Sequence, residues 1–91
     1  MTEVSFQPDT IFALASAAGR AGVAVIRVSG PAAGSMLLSV CGFEDLPVPR
    51  RAIRCRMVDP KDQSLLDDGL VIWFAAPASF TGEDIAELHI H

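Results

Sequence analysis

The stretch EDIAELHIH (83–91) sets two kinds of side chain in alternation. If it is extended, Glu87, His89 and His91 share one face, while Ala86, Leu88 and Ile90 form an apolar face opposite. One carboxylate and two imidazoles in a row admit three readings. They are a zinc-type metal site with Glu87 as third ligand, a ligand-binding row, or the wet side of a sheet. Arg27, inside VAVIRVS, lies on the same face as Val23 and Val25. A guanidinium flanked by valines either ends the buried part of a strand with its head in solvent or pairs with an anion. Glu87 is its natural complement. A mid-strand carboxylate either faces water or accepts two parallel N–H bonds, from an arginine or from a heterocycle with an amino group beside a ring N–H.

PRRAIRCR holds Arg50, Arg51, Arg54 and Arg56, four of the seven basic residues. Such a run is either a solvated, charged edge that discourages aggregation or a patch that touches RNA. Cys41 and Cys55 have neither CxxC spacing nor a disulfide framework around them, so both are expected as small core or surface thiols. The chain contains no G-x-x-x-x-G-K-[ST] loop and no G-x-S-x-G. It is therefore not expected to be catalytic by itself.

The elements that must position these residues can be read from period and punctuation. DTIFALAS (9–16) predicts a short strand, and AAGRAG (17–22) a small-residue loop. GVAVIRVS (22–29) predicts a second strand, rich in valine and isoleucine between two glycines. The period then changes. Ser29, Gly30 and Pro31 suit a helix start with Pro31 at the first helical position. Ala33, Met36, Leu37 and Val40 form one helical face, and Gly42 is the natural stop. FEDLPVPR is a loop. RAIRCRMV (51–58) alternates, with Ile53, Cys55 and Met57 on one face and Arg54 and Arg56 on the other. DPKDQ is a turn, and LLDDGLVIWF (65–74) completes a hairpin. APASFTGED precedes the last strand. There, a helix capped by Thr81 competes with the strand, but strict alternation from Ala86 to His91 favours the strand.

Strand, strand, helix, three strands make an α+β fold, with the helix covering one face of a largely antiparallel or mixed sheet. Ninety-one residues are one domain at most, 1–91, with little stability to spare. The 51% hydrophobic content argues for a folded chain, and the net charge of −4 against bulk nucleic-acid binding by these residues alone. No apolar run is long enough to span a bilayer, and MTEVSFQPD has no signal-peptide core. The expected location is the cytoplasm, with no membrane partner.

Two blocks, DTIFALASAAGRAGVAVIRVSGPAA and LLDDGLVIWFAAPASFTGEDIAELHIH, resemble the N-terminal domain of the tRNA modification GTPases (the MnmE, or TrmE, family). The matching features are the DTI start, the GR-x-GV…RVSG strand and loop, and the WF…P-A-S-F-T-G-E-D…E-x-H-x-H run. They bracket nearly the whole chain in the family's order. Ala21, Ala76 and Ile90 stand where the family usually has glycine, proline and a small residue.

The resemblance carries expectations. The fold would be similar to the tetrahydrofolate-binding domain of aminomethyltransferases, and the domain would dimerise the protein. It would hold a tetrahydrofolate derivative, in the 5-formyl or 5,10-methylene form, near the dimer interface. Arg27 and Glu87 match the family's folate contacts, which moves the carboxylate–imidazole row toward ligand binding and away from metal. His89 and His91 would support the pocket or its adjoining turn. The parent protein would be a GTPase that, with a flavoprotein partner, modifies the wobble uridine of certain tRNAs. GTP, Mg²⁺ and K⁺ would belong to a GTPase domain outside these residues. Family members continue through glycines into a further helix with another basic pocket residue, so the chain is expected to be an N-terminal piece, incomplete at its C-terminal end. Pairing of chains without folate is the structural alternative, and a small metal- or RNA-contacting module is a third.

Overall fold

A computed structural model describes residues 10–14, 24–79 and 81–91. Strand β1 (Ile11–Leu14) is followed by β2 (Ala24–Ser29), helix α1 (Ala33–Cys41), β3 (Ala52–Val58), β4 (Leu65–Phe74) and β5 (Ile85–Ile90). The sequence of elements is the expected one, and the 81–91 segment is strand from Ile85 onward rather than a helix capped by Thr81. The predicted AAGRAG loop lies outside the described residues.

All five strands join one sheet in the order β1-β2-β5-β4-β3, and each pairing is antiparallel. The last strand is thus the middle one, inserted between β2 and β4. One face of the sheet is the core. Val28 of β2, Ala86 and Leu88 of β5, Val71 and Trp73 of β4, and Cys55 and Met57 of β3 are all buried there against Ala33 and Leu37 of α1. Leu37, Ile85 and Val71 are the largest side chains removed almost completely from water. Each such burial contributes roughly 1.5–3 kcal/mol. The predicted helical face is the buried one: Ala33 and Leu37 are fully covered, with Met36 and Val40 packed beside them. The helix stops at Gly42, whose φ of 67° supplies the left-handed turn that a glycine adopts without strain.

The helix start differs from expectation. Ala33 is the first helical residue and Ala32 the cap, so Pro31 lies before the helix rather than at its first position. Gly30 to Ala33 form a tight turn, closed by the Ala33 N–H donating to the Gly30 carbonyl at 3.1 Å. Pro31 takes the second position of that turn, for which its fixed φ is equally suited, and Ala32 (φ −92°, ψ 2°) the third. No side chain of the helix caps it. Instead the Ala32 N–H donates to Thr10 Oγ1 at 2.7 Å, which ties the start of β1 to the helix entrance.

β3 and β4 form the predicted hairpin, with a register shift at Met57/Val58. Its turn is held by Asp59, which accepts from the Lys61 and Gln63 backbone and donates its own N–H to Ser64 O. At Gly69, β4 passes so close to β5 that an added Cβ would run into the backbone carbonyl of His89.

Candidate functional site

The open face of the sheet carries the chemistry. Register places Arg27 of β2 directly opposite Glu87 of β5, with Ile72 of β4 opposite Glu87 on its other side. The alternation that buries Val28, Ala86, Leu88 and Val71 on the helix side forces Arg27 and Glu87 to the other. A one-residue slip of either strand would put its charge on the core face and separate the pair, so the apolar face sets the register that makes it.

Arg27 Nη2–H donates to Glu87 Oε2 at 2.9 Å, and Arg27 Nε–H to the same oxygen at 3.3 Å. His89 Nε2–H donates to the other oxygen, Oε1, at 2.7 Å. The Glu87 side chain is only 13% exposed. Burial on its own would push the carboxyl upward, but the hydrogen bonds from Arg27 and His89 and the charges behind them outweigh it, and the group is held below the usual glutamate range. Glu87 is therefore an ionised, oriented acceptor. Among the described residues Oε1 has one donor, so lone-pair capacity remains for a ligand N–H.

Of the two expected contacts, both are in one place. The histidine row divides. His89 faces Glu87, whereas His91 turns to Asp67 at the start of β4, its backbone N–H at 2.7 Å from Oδ2 and its Nδ1 at 3.2 Å from Oδ1. Among the described residues no group of three His, Cys, Asp or Glu gathers where it could hold a metal ion. The arginine run divides as well. Arg54 forks onto Asp68, with both bonds at 3.1 Å on the exposed surface, while Arg50 turns toward Glu87's side of the sheet.

Arg27 and Glu87 line an open cleft of about 350 Å³ together with Arg50, Phe74, Ser79 and Ile85. That volume lies at the small end of the range for small-molecule pockets, about 300–1,000 Å³. Ile85 is buried and Phe74 lies directly across from it on β4, so the two supply an apolar wall. Ser79 adds to the wall from the segment after β4, which contains the cis Ala76–Pro77 peptide and whose described residues are held by side-chain hydrogen bonds. Asp84 accepts from the Ala76 N–H at 2.8 Å, Ser79 Oγ donates to the Glu83 carbonyl, and Glu83 N–H reaches Thr81 Oγ1 at 3.3 Å. The buried Ser29 hydroxyl bonds to Thr81 Oγ1 at 2.9 Å, and Gly30 N–H donates to Asp84 O at 2.9 Å, so the loop is anchored to the end of β2. The T-G-E-D motif thus serves the shape of the loop.

Arg50, Phe74, Ser79 and Ile85 were not legible as site residues. Arg50 could be found only as one of four clustered arginines, and Phe74 only as the end of an apolar strand.

The family described as "GTP-binding protein TrmE N-terminus" matches residues 10–91. Among relatives, the chain is 60% identical over 83 residues to a tRNA modification GTPase MnmE of Paramagnetospirillum magneticum, covering 91% of this chain and 18% of that protein. It is 55% identical to the protein of the same name from Parvibaculum lavamentivorans, covering 91% of this chain and 19% of the relative. For the one from Granulibacter bethesdensis the identity is 53%, over 91% and 18% respectively. The chain spans about a fifth of the length of the curated relatives it matches.

Proposed function

The chain belongs to the TrmE N-terminal family, and from that premise we propose that it is the tetrahydrofolate-binding and dimerisation module of a GTPase that modifies the wobble uridine of tRNA. The observation that carries the folate part is Glu87, an ionised acceptor in the cleft whose two oxygens are oriented by Arg27 and His89. A pterin presents an amino group beside a ring N–H, the donor pair that a fixed carboxylate recognises. The single five-stranded sheet with one helix is consistent with the likeness in fold to aminomethyltransferase folate domains, which belongs to the same reading.

The ligand is a tetrahydrofolate in its 5-formyl or 5,10-methylene form, and Arg27 and Glu87 are the cofactor-binding residues. The role of these residues is binding rather than catalysis. The protein works as a homodimer. Its apolar contribution to that pairing is the exposed leucines of β4, Leu66 and Leu70. GTP with Mg²⁺ and K⁺, the flavoprotein partner and the tRNA are engaged by the full-length protein, in the cytoplasm. No helix among the described residues is long and apolar enough to cross a membrane.

The test is a calorimetric titration of the chain with 5-formyltetrahydrofolate beside a Glu87→Ala variant, both checked for native near-ultraviolet dichroism of Trp73. Saturable binding, lost in the variant, is the expected result. A folded chain that does not bind, or a variant that binds as well as the parent, overturns the folate reading.

A further inference from the structure

The cleft contains two guanidinium groups in different states. Arg27 is neutralised by Glu87. Arg50 has no carboxylate partner among the described residues, although it lines the same cleft. Its guanidinium lies over the Phe74 ring, 5.6 Å from the centroid, and Nη2–H donates to the Ala78 carbonyl at 2.6 Å. That bond uses one of five N–H donors. The backbone is unusual too: Arg50 has a φ of 66°, a left-handed conformation that costs a non-glycine residue free energy, and its N–H is fixed to Trp73 O at 2.8 Å. A strained backbone, an aromatic platform and a carbonyl tether together hold one cation at a set place on the cleft wall.

The polarity of the wall follows from strand register. Glu87 and Ile85 lie on one face of β5, roughly 7 Å apart along the strand. Phe74 is the direct neighbour of Ile85 across the β4–β5 pairing, and Arg50 sits on Phe74. A ligand lying along this path meets an acceptor, then an apolar stretch, then an unneutralised cation.

We propose that Arg50 is a further ligand-binding residue of the cleft, taking the carboxylate of an anionic arm that extends from the heterocycle held at Glu87. This rests on the folate reading and deepens it. The pterin end goes to Glu87, the aminobenzoyl ring passes Ile85 and Phe74, and a glutamate carboxylate reaches Arg50. Placed over an aromatic ring and tethered to the Ala78 carbonyl, the guanidinium keeps N–H donors that can fork onto a carboxylate.

The experiment compares 5-formyltetrahydrofolate with the same compound whose glutamate carboxylates have been converted to amides. Both are titrated into the parent chain and into Arg50→Gln. The parent is expected to prefer the acid by about tenfold, the order expected of one charge-assisted pair. Arg50→Gln should lose that preference and bind the diamide as the parent does. Raising the salt concentration should narrow the preference in the parent and leave the variant unmoved. Three results overturn the proposal: no preference in the parent, a preference that survives in the variant, or a variant that loses both ligands equally, which would make Arg50 only a tether for the 75–84 loop. A folded parent that binds neither compound removes the folate reading, and this inference with it.

Discussion

Glu87 makes its neighbours interdependent. Arg27 spans the pairing to Oε2, His89 reaches Oε1, and the carboxylate is nearly closed off from water. Its depressed titration has a sign that can be checked. The folded state holds the proton more weakly than the unfolded chain, so this group stabilises the fold at pH values above its ordinary value of 4.5. That contribution is lost as pH falls through the lower folded value. Asp67 and Asp68 act in the same direction, the first lowered mainly by the His91 backbone N–H and the second by Arg54. Melting temperature is expected to fall as the solution is acidified below about pH 4.5, and a Glu87→Gln chain should show a shallower fall over that window. Thermal melts of the two chains between pH 3 and 7 (roughly the range over which carboxylates titrate) measure this. Equal slopes would mean that Glu87 is not held in its ionised state. The cysteines, by contrast, are inert. Burial pushes both Cys41 and Cys55 upward, away from the thiolate form.

At the scale of elements, periodicity was enough to sort faces but not to order strands. Alternation in VAVIRVS and IAELHI puts Arg27 and Glu87 opposite their apolar neighbours, and each strand alone shows that much. What brings the two together is the insertion of β5 between β2 and β4, a long-range pairing that no local pattern encodes. The helix start shows a different limit. Gly30-Pro31 suits both a turn and a first helical position, and Thr10, far away in sequence, helps the turn by accepting from Ala32. Arg50 was hidden for a similar reason: its place depends on a left-handed backbone and on a carbonyl of another loop. The insertion also leaves a mark that can be tested. Gly69 allows β4 to approach the carbonyl of His89, and an added methyl must push the strands apart. Gly69→Ala should cost about 1–3 kcal/mol, the usual range for overpacking. The displacement falls on the residue that orients Glu87, so denaturant unfolding and folate titration should weaken together. A variant as stable as the parent would show that the two strands are not so closely fitted.

For the molecule as a whole, the sheet is unevenly covered. One face is closed by α1, and the other has charges and the cleft near β2 and β5 but exposed leucines farther out. Leu66 is 60% exposed and Leu70 44%; Leu70 lies on the same side of β4 as Ile72 and is paired with His89 beside the site. A small domain does not bury enough surface to make such exposure free of consequence. A second copy of the chain is the occupant proposed above, and pairing along β4 would place another subunit next to His89 and Glu87. Occupancy of the cleft and association would then be linked, since whatever binds only the paired state stabilises it by mass action. Sedimentation velocity over a concentration series should show a monomer–dimer equilibrium, shifted toward dimer by saturating 5-formyltetrahydrofolate. Leu66→Lys with Leu70→Lys should move it toward monomer, while Val48→Lys, at an exposed position outside β4, should not. If the double variant dimerises like the parent, the pairing surface lies elsewhere. If folate leaves the equilibrium unmoved, the cleft and the pairing surface are independent.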